Sequence, residues 1–151
     1  DSIYVTGCLG QSWHGNKNVR HDFNFKPRIH EARKLHSILD DNLHAMIDIS
    51  DGLAIDASRL IPESNSKVII DVNKIPLRTS SNYNNALNDG EDYELLFSAS
   101  GSVPDKIDLM RITKIGSVVE KNRNDESLYF YDGKDKIIHN KFGWDHGKTK
   151  E

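Results

Sequence analysis

The stretch Asp48-Ile49-Ser50-Asp51-Gly52 sets two carboxylates and a hydroxyl between an apolar run and a segment of helical spacing. That arrangement suits metal and phosphate together. Amide groups at a helix start attract an anion, and carboxylates can hold Mg2+ that bridges to it. Ser50 and Asp51 are also common capping residues, and a plain helix cap accounts for either of them. Asp48, at the end of an apolar strand, has no capping duty.

A second stretch, Asp89-Gly90-Glu91-Asp92-Tyr93-Glu94, carries four carboxylates in six residues. Such density invites a cation or a cationic ligand, and a solvated turn with its acids in water is the plainer alternative. Continued alternation would put Tyr93, Leu95 and Phe97 on one face and Glu94 and Leu96 on the other. A third stretch, Gly143-Trp144-Asp145-His146-Gly147, places an aromatic ring beside an acid and a histidine. Trp144 can stack on a ligand ring or plug a surface hollow. The seven histidines show no metal-ligand spacing backed by cysteines, and Cys8 is the single cysteine. No Walker-type or dinucleotide-binding glycine loop occurs.

These residues need elements to position them. Ile3 to Thr6 reads as a strand closed by the turn Gly7-Cys8-Leu9-Gly10-Gln11-Ser12, and Trp13 to Lys26, without a clear period, reads as a loop. Pro27 opens a helix in which Ile29, Ala32, Leu35 and Ile38 or Leu39 recur up to Asp40. His44 to Ile49 is a short apolar strand. Leu53, Ala57, Leu60 and Ile61 then share a helical face that Pro62 ends. Lys67 to Val72 is a β-branched strand, Ser80 to Leu87 a helix weakened by asparagines, and Tyr93 to Phe97 a strand. Ile112 to Val119 gives a further strand, and Leu128 to Tyr131 with Lys136 to Ile138 forms a hairpin around Asp132-Gly133. Strands and helices intermix without regular alternation, which predicts an α+β fold with helices layered on a mixed β-sheet.

The 151 residues fit one domain, with 148–151 expected to fray. With 36% hydrophobic and 28% charged residues a packed core is expected. No run approaches the ~18 to 20 apolar residues of a membrane span, and no signal sequence opens the chain. The single cysteine agrees with a reducing compartment, so a cytoplasmic setting is expected. A formal charge of -3 without a long basic stripe argues against a nucleic-acid partner. Opening at Asp1 and running almost at once into Ile3-Tyr4-Val5, the chain is expected to be part of something longer.

In order and spacing, Met46-Ile47-Asp48-Ile49-Ser50-Asp51-Gly52-Leu53, Gly90-Glu91-Asp92-Tyr93-Glu94-Leu95-Leu96-Phe97, Ile115-Gly116 and Gly143-Trp144-Asp145-His146 resemble the C-terminal half of the thiamine-monophosphate kinases. The opening Ile3-Tyr4-Val5-Thr6-Gly7 with Leu9-Gly10 and Ser12 resembles the start of that half. These kinases belong to the aminoimidazole-ribonucleotide synthase superfamily, which pairs an N-terminal ATP-binding, dimer-forming domain with a C-terminal α+β domain. The resemblance implies residues 1–151 as a single C-terminal domain without that ATP-binding partner, and a homodimer formed through the partner in the full-length protein. It implies transfer of the γ-phosphoryl group of ATP to thiamine monophosphate, giving thiamine diphosphate in the presence of Mg2+. Carried over residue by residue, Asp48 and Asp51 match Mg2+ ligands, Ser50 a contact to ATP, and Glu91 and Trp144 contacts to thiamine monophosphate. No residue is assigned as nucleophile or general base, because an acceptor phosphate is already ionised near neutrality and catalysis reduces to alignment and charge neutralisation. The alternatives are a non-catalytic ligand-binding or assembly module of the same superfamily, or the matching domain of a related ATP-dependent synthase.

Overall fold

The computed structural model describes residues 1–10, 26–60 and 65–137. Eight strands form one sheet: β1 (Ser2–Thr6), β2 (Leu43–Asp48), β3 (Ser66–Asp71), β4 (Leu95–Ala99), β5 (Lys106–Ile107), β6 (Met110–Glu120), β7 (Leu128–Tyr131) and β8 (Lys136–Ile137). Their order is β2-β4-β1-β6-β3-β7-β8, with β5 paired to β6. The β3–β7 pair is parallel and the other pairs are antiparallel, so the sheet is mixed, as expected.

Three helices, α1 (Ile29–Leu39), α2 (Leu53–Arg59) and α3 (Tyr83–Asn88), cover the sheet. Alternation along the central strands divides the core in two. Ile3, Val5 and Leu96 pack with Leu53, Ala54 and Ala57 of α2 and Ala86 and Leu87 of α3. Leu95, Phe97 and Ala99 pack with Leu35 and Leu39 of α1, and Tyr4 stacks on Phe97 with ring centroids 5.2 Å apart. Each such Leu, Ile, Val or Phe side chain contributes about 1.5 to 3 kcal/mol when fully buried, so the two layers clamp β1 and β4 from both faces.

Several boundaries moved for identifiable reasons. In α1 the buried stripe is completed by Leu39, whereas Ile38 is exposed, and so is Ile29 in the first turn. α3 starts at Tyr83 because the Asn82 side chain accepts a hydrogen bond from the Asn85 N–H (3.0 Å), so an asparagine that lowers propensity inside a helix begins this one. β4 begins at Leu95, two residues later than expected, because Tyr93 adopts φ 51° and cannot lie in an extended strand. Two-residue β5 carries no readable period. β6 is longer than expected and follows β1 on one side and β3 on the other. At Gly116 a Cβ would collide with the Ile69 carbonyl oxygen, so a glycine is required for β3 to approach. The end of the segment after α2, including Pro62, lies outside the described residues.

Candidate functional site

Because β2 and β4 are antiparallel neighbours, the two acidic stretches leave the same end of the sheet side by side. Their pairing continues past the ladder. The Ile49 N–H donates to the Glu94 carbonyl, the Tyr93 N–H to the Ile49 carbonyl, and the Glu91 N–H to the Ser50 carbonyl, each at 2.8 Å. Gly90, at φ 68°, lies so close that a Cβ would sit 2.7 Å from the Ser50 carbonyl oxygen. Gly52, at φ 108°, makes the same approach to Leu87, with a Cβ 2.7 Å from its carbonyl oxygen. A side chain at either position would separate the motifs.

Within the second stretch, Glu91 (φ 54°) and Tyr93 (φ 51°) are both left-handed. Each such residue costs on the order of 1 to 3 kcal/mol, and clustered outliers of this kind mark sites where the surrounding structure holds a strained backbone for a purpose. Glu91 is exposed and Tyr93 half-buried, while Asp92 and Glu94 turn inward. The Tyr93 phenol is raised above its ordinary value by burial first, and then by Glu91, Asp48 and Asp51. The backbone pairing of the two stretches thus brings Asp48, Asp51 and Glu91, three acids singled out from sequence, to the same end of the sheet as Tyr93. Ser50, half-buried, lies between two of them in the chain. Trp144 lies outside the described residues.

The inward acids correct both readings of that stretch, since they face neither a ligand nor water. Asp92 accepts the Gly10 N–H in bonds of 3.0 and 3.1 Å and pairs with Arg78 Nη1 at 2.7 Å. Burial nonetheless pushes its carboxyl up to about 6, against the pull of Gly10 and Arg78. Glu94 takes Arg28 Nε at 2.9 Å and Nη2 at 2.7 Å, and accepts the Thr6 hydroxyl at 2.6 Å. Gly7 packs against this carboxylate where a Cβ would collide with it. Arg28 and Arg78 were missed from sequence, because neither stands near its partner at a recognisable spacing. The available signal was thermodynamic, since an acid entering an apolar strand needs a counter-charge.

The start of α2 differs from both accounts given for it. Its cap position is Gly52, and neither Ser50 nor Asp51 caps it with a side chain. The Ser50 and Asp51 N–H groups, expected to be open to an anion, donate to Asp56 Oδ2 at 2.9 and 3.0 Å. Asp56 is 1% exposed; burial raises its carboxyl, while those amides and Arg59 oppose the rise. Arg59 Nη1 lies 2.7 Å from Asp56 Oδ1 and 2.6 Å from Asp51 Oδ2. The side chains of Asp48, Asp51 and Glu91 offer carboxylate oxygens at this end of the sheet, the chemistry of a hard cation such as Mg2+. Among the described residues no three His, Cys, Asp or Glu side chains close into a cage, and Mg2+ held by one or two carboxylates together with phosphate needs none. The donor set fits that ion.

Residues 6–104 match the family model described as AIR synthase related protein, C-terminal domain. The chain belongs to this family. A thiamine-monophosphate kinase of Buchnera aphidicola subsp. Acyrthosiphon pisum is 34% identical over an alignment covering 97% of this chain and 52% of that protein. The thiamine-monophosphate kinase of Rhodopirellula baltica is 30% identical over 79% of this chain and 40% of its own. Among solved structures, AaThiL complexed with AMPPCP and TMP aligns with a TM-score of 0.68 at 30% identity, covering 97% of this chain and 51% of that one. Thiamine monophosphate kinase from Aquifex aeolicus aligns with a TM-score of 0.64 at 29% identity over 90% and 51%. This AIR synthase related domain therefore spans about half the length of the relatives it matches, and it shares their α+β architecture. No helix among its described residues is long and apolar enough to cross a membrane.

Proposed function

We propose that this chain is the C-terminal domain of a thiamine-monophosphate kinase, an enzyme that uses ATP to phosphorylate thiamine monophosphate to thiamine diphosphate by direct in-line transfer. The observation that carries the reading is the backbone pairing that sets Asp48-Ile49-Ser50-Asp51 beside Glu91-Asp92-Tyr93-Glu94 at one end of the sheet, in a domain whose relatives carry that enzyme's name and one of which was solved with AMPPCP and TMP.

On this reading Asp48 and Asp51 hold Mg2+, and the bound ion neutralises phosphate charge. Asp56 fixes the backbone of Ser50 and Asp51 through their amides, so the loop between β2 and α2 is ordered before ligands arrive. That order lowers the cost of alignment, the main demand of phosphoryl transfer. Ser50 contacts ATP from this loop. Glu91, exposed and held by its strained backbone, contacts thiamine monophosphate, and Trp144 meets the substrate ring. The acceptor is a phosphate oxygen already ionised near neutrality, so no side chain has to remove a proton. The full-length protein acts in the cytoplasm as a homodimer formed through an ATP-binding N-terminal domain.

The deciding experiment is conversion of thiamine monophosphate by the full-length protein with ATP and Mg2+. Thiamine diphosphate formed in step with ADP is expected. No conversion at any Mg2+ concentration would remove the reading.

A further inference from the structure

We propose that Arg59 is a positioning residue for the transfer site, holding the Asp51 carboxylate in the orientation from which it takes a divalent cation. The inference rests on the kinase reading above and adds a residue to it.

Two of the interactions that hold Asp51 come from one turn of α2. Asp56, fully buried, anchors the backbone by accepting the Asp51 N–H at 3.0 Å. Arg59, one turn further, anchors the side chain, with Nη1 2.6 Å from Asp51 Oδ2 and 2.7 Å from Asp56 Oδ1. A single guanidinium nitrogen therefore joins the anchor of the backbone to the carboxylate that the anchor supports. Without that cation, Asp51 and Asp56 would face one another as like charges across a short gap, a repulsion that turns the Asp51 carboxylate from this orientation.

Arg59 is not part of the packed core: its side chain is 53% exposed, and the hydrocarbon layer of α2 is built from Leu53, Ala54 and Ala57. The pair with Asp51 is half-exposed and adds little to stability, whereas the pair with buried Asp56 adds more. For Asp51 the value of Arg59 therefore lies in orientation. Groups that hold a metal-binding side chain from outside typically change metal affinity or activity by roughly 10- to 100-fold when removed. Removing the positive charge acts in the opposite direction by strengthening cation attraction, but solvent and salt screen a half-exposed charge. The orientation effect is the larger one, so the net change is weaker binding.

The test uses Mn2+ as the probe, added to the nucleotide-free full-length protein and followed by the EPR signal of the free ion, together with the Mg2+ concentration giving half-maximal turnover. Arg59→Met, which keeps length and loses charge, is expected to weaken Mn2+ binding by roughly 10-fold or more and to raise the Mg2+ requirement, with a lower melting temperature because buried Asp56 loses its counter-charge. In the Asp51→Asn background Arg59→Met is expected to change neither Mn2+ binding nor the Mg2+ requirement further, because the carboxylate it orients is gone even though its pair with Asp56 remains. Arg59→Lys is expected to fold and to fall between wild type and Arg59→Met, and it carries the comparison should Arg59→Met not fold. Wild-type or tighter Mn2+ binding in the Arg59 variants overturns the proposal, as does an equal loss in both backgrounds. A wild type that turns over but takes no Mn2+ without nucleotide also overturns it. A wild type that neither binds Mn2+ nor phosphorylates thiamine monophosphate removes the kinase reading with it.

Discussion

Replacing Asp51 by Asn removes a charge and almost no volume, and the helix it precedes does not depend on it for capping, because Gly52 holds that position. The Arg59 contact it loses is half-exposed and contributes little to stability. In the full-length protein Asp51→Asn is therefore expected to lower turnover by roughly 2 to 4 kcal/mol of barrier, on the scale of a lost preorganised electrostatic contact, with the melting temperature almost unchanged. Steady-state kinetics across Mg2+ concentrations check this, and near-normal turnover would return Asp51 to a purely structural role. Asp92 behaves oppositely. Its buried carboxyl keeps its proton up to about 6 in the folded chain, against an ordinary value of 3.8. Between those values the native state binds more protons than the unfolded one, so rising pH costs stability at this residue. Asp92→Asn abolishes that dependence. The stability of wild type relative to Asp92→Asn is thus expected to be greatest near pH 4 and to shrink by roughly 3 kcal/mol by pH 7, measured by denaturant unfolding at each pH. A difference independent of pH would mean that Asp92 is ionised throughout.

Between residues and fold stands the paired unit of β2, β4 and the two loops that leave them. Gly90 is its closest joint, at φ 68° with the Ser50 carbonyl oxygen 2.7 Å from where a Cβ would be. Gly90→Ala meets both a backbone penalty of about 1 kcal/mol and a collision with main chain that cannot swing aside. A loss of roughly 2 to 4 kcal/mol in unfolding free energy is expected, with weaker thiamine monophosphate binding because Glu91 is displaced. Chemical denaturation and a substrate titration measure the two effects, and an unchanged pair would show that the loops move apart without cost. Much of this unit was legible in sequence. The apolar runs before Asp48 and after Tyr93 marked strands, and Asp48 stood out as an acid without a capping duty, whereas Asp51 read equally well as a helix cap and Glu91 was one of four acids in a dense stretch until the family resemblance singled it out. The left-handed turns at Glu91 and Tyr93 were hidden, because a bulky residue at positive φ contradicts local preference and is imposed by its neighbours. Hidden too were the partners of Asp92 and Glu94, since Arg78 and Arg28 reach them through tertiary folding that no spacing records. Asp56 was placed on a helix and left without a role, although its position five residues after Asp51 lets it fold back on the loop amides.

At the scale of the whole molecule, the sheet delivers its acids to one end and supplies little positive charge there. Among the described residues, the arginines at that end are committed, Arg28 to Glu94, Arg78 to Asp92 and Arg59 to Asp51 and Asp56. A nucleotide carries several negative charges, and an acidic surface repels it unless metal ions or further cationic and amide donors meet it. The relatives this chain resembles are about twice its length, so donors of that kind have a place to reside outside residues 1–151. The 151-residue chain alone is accordingly expected to fold, since both hydrophobic layers are complete on its own strands and helices, and to show no measurable conversion of ATP and thiamine monophosphate. Circular dichroism with a cooperative melt checks the first expectation, and a coupled assay at millimolar Mg2+ checks the second. A polypeptide that carries this chain together with the further length found in its relatives is expected to turn over without a change in the fold of this part. Robust turnover by the 151 residues alone would show that the acidic end of the sheet, with its metal ions, is sufficient to hold and align both phosphates, and the division of labour between two halves would have to be abandoned.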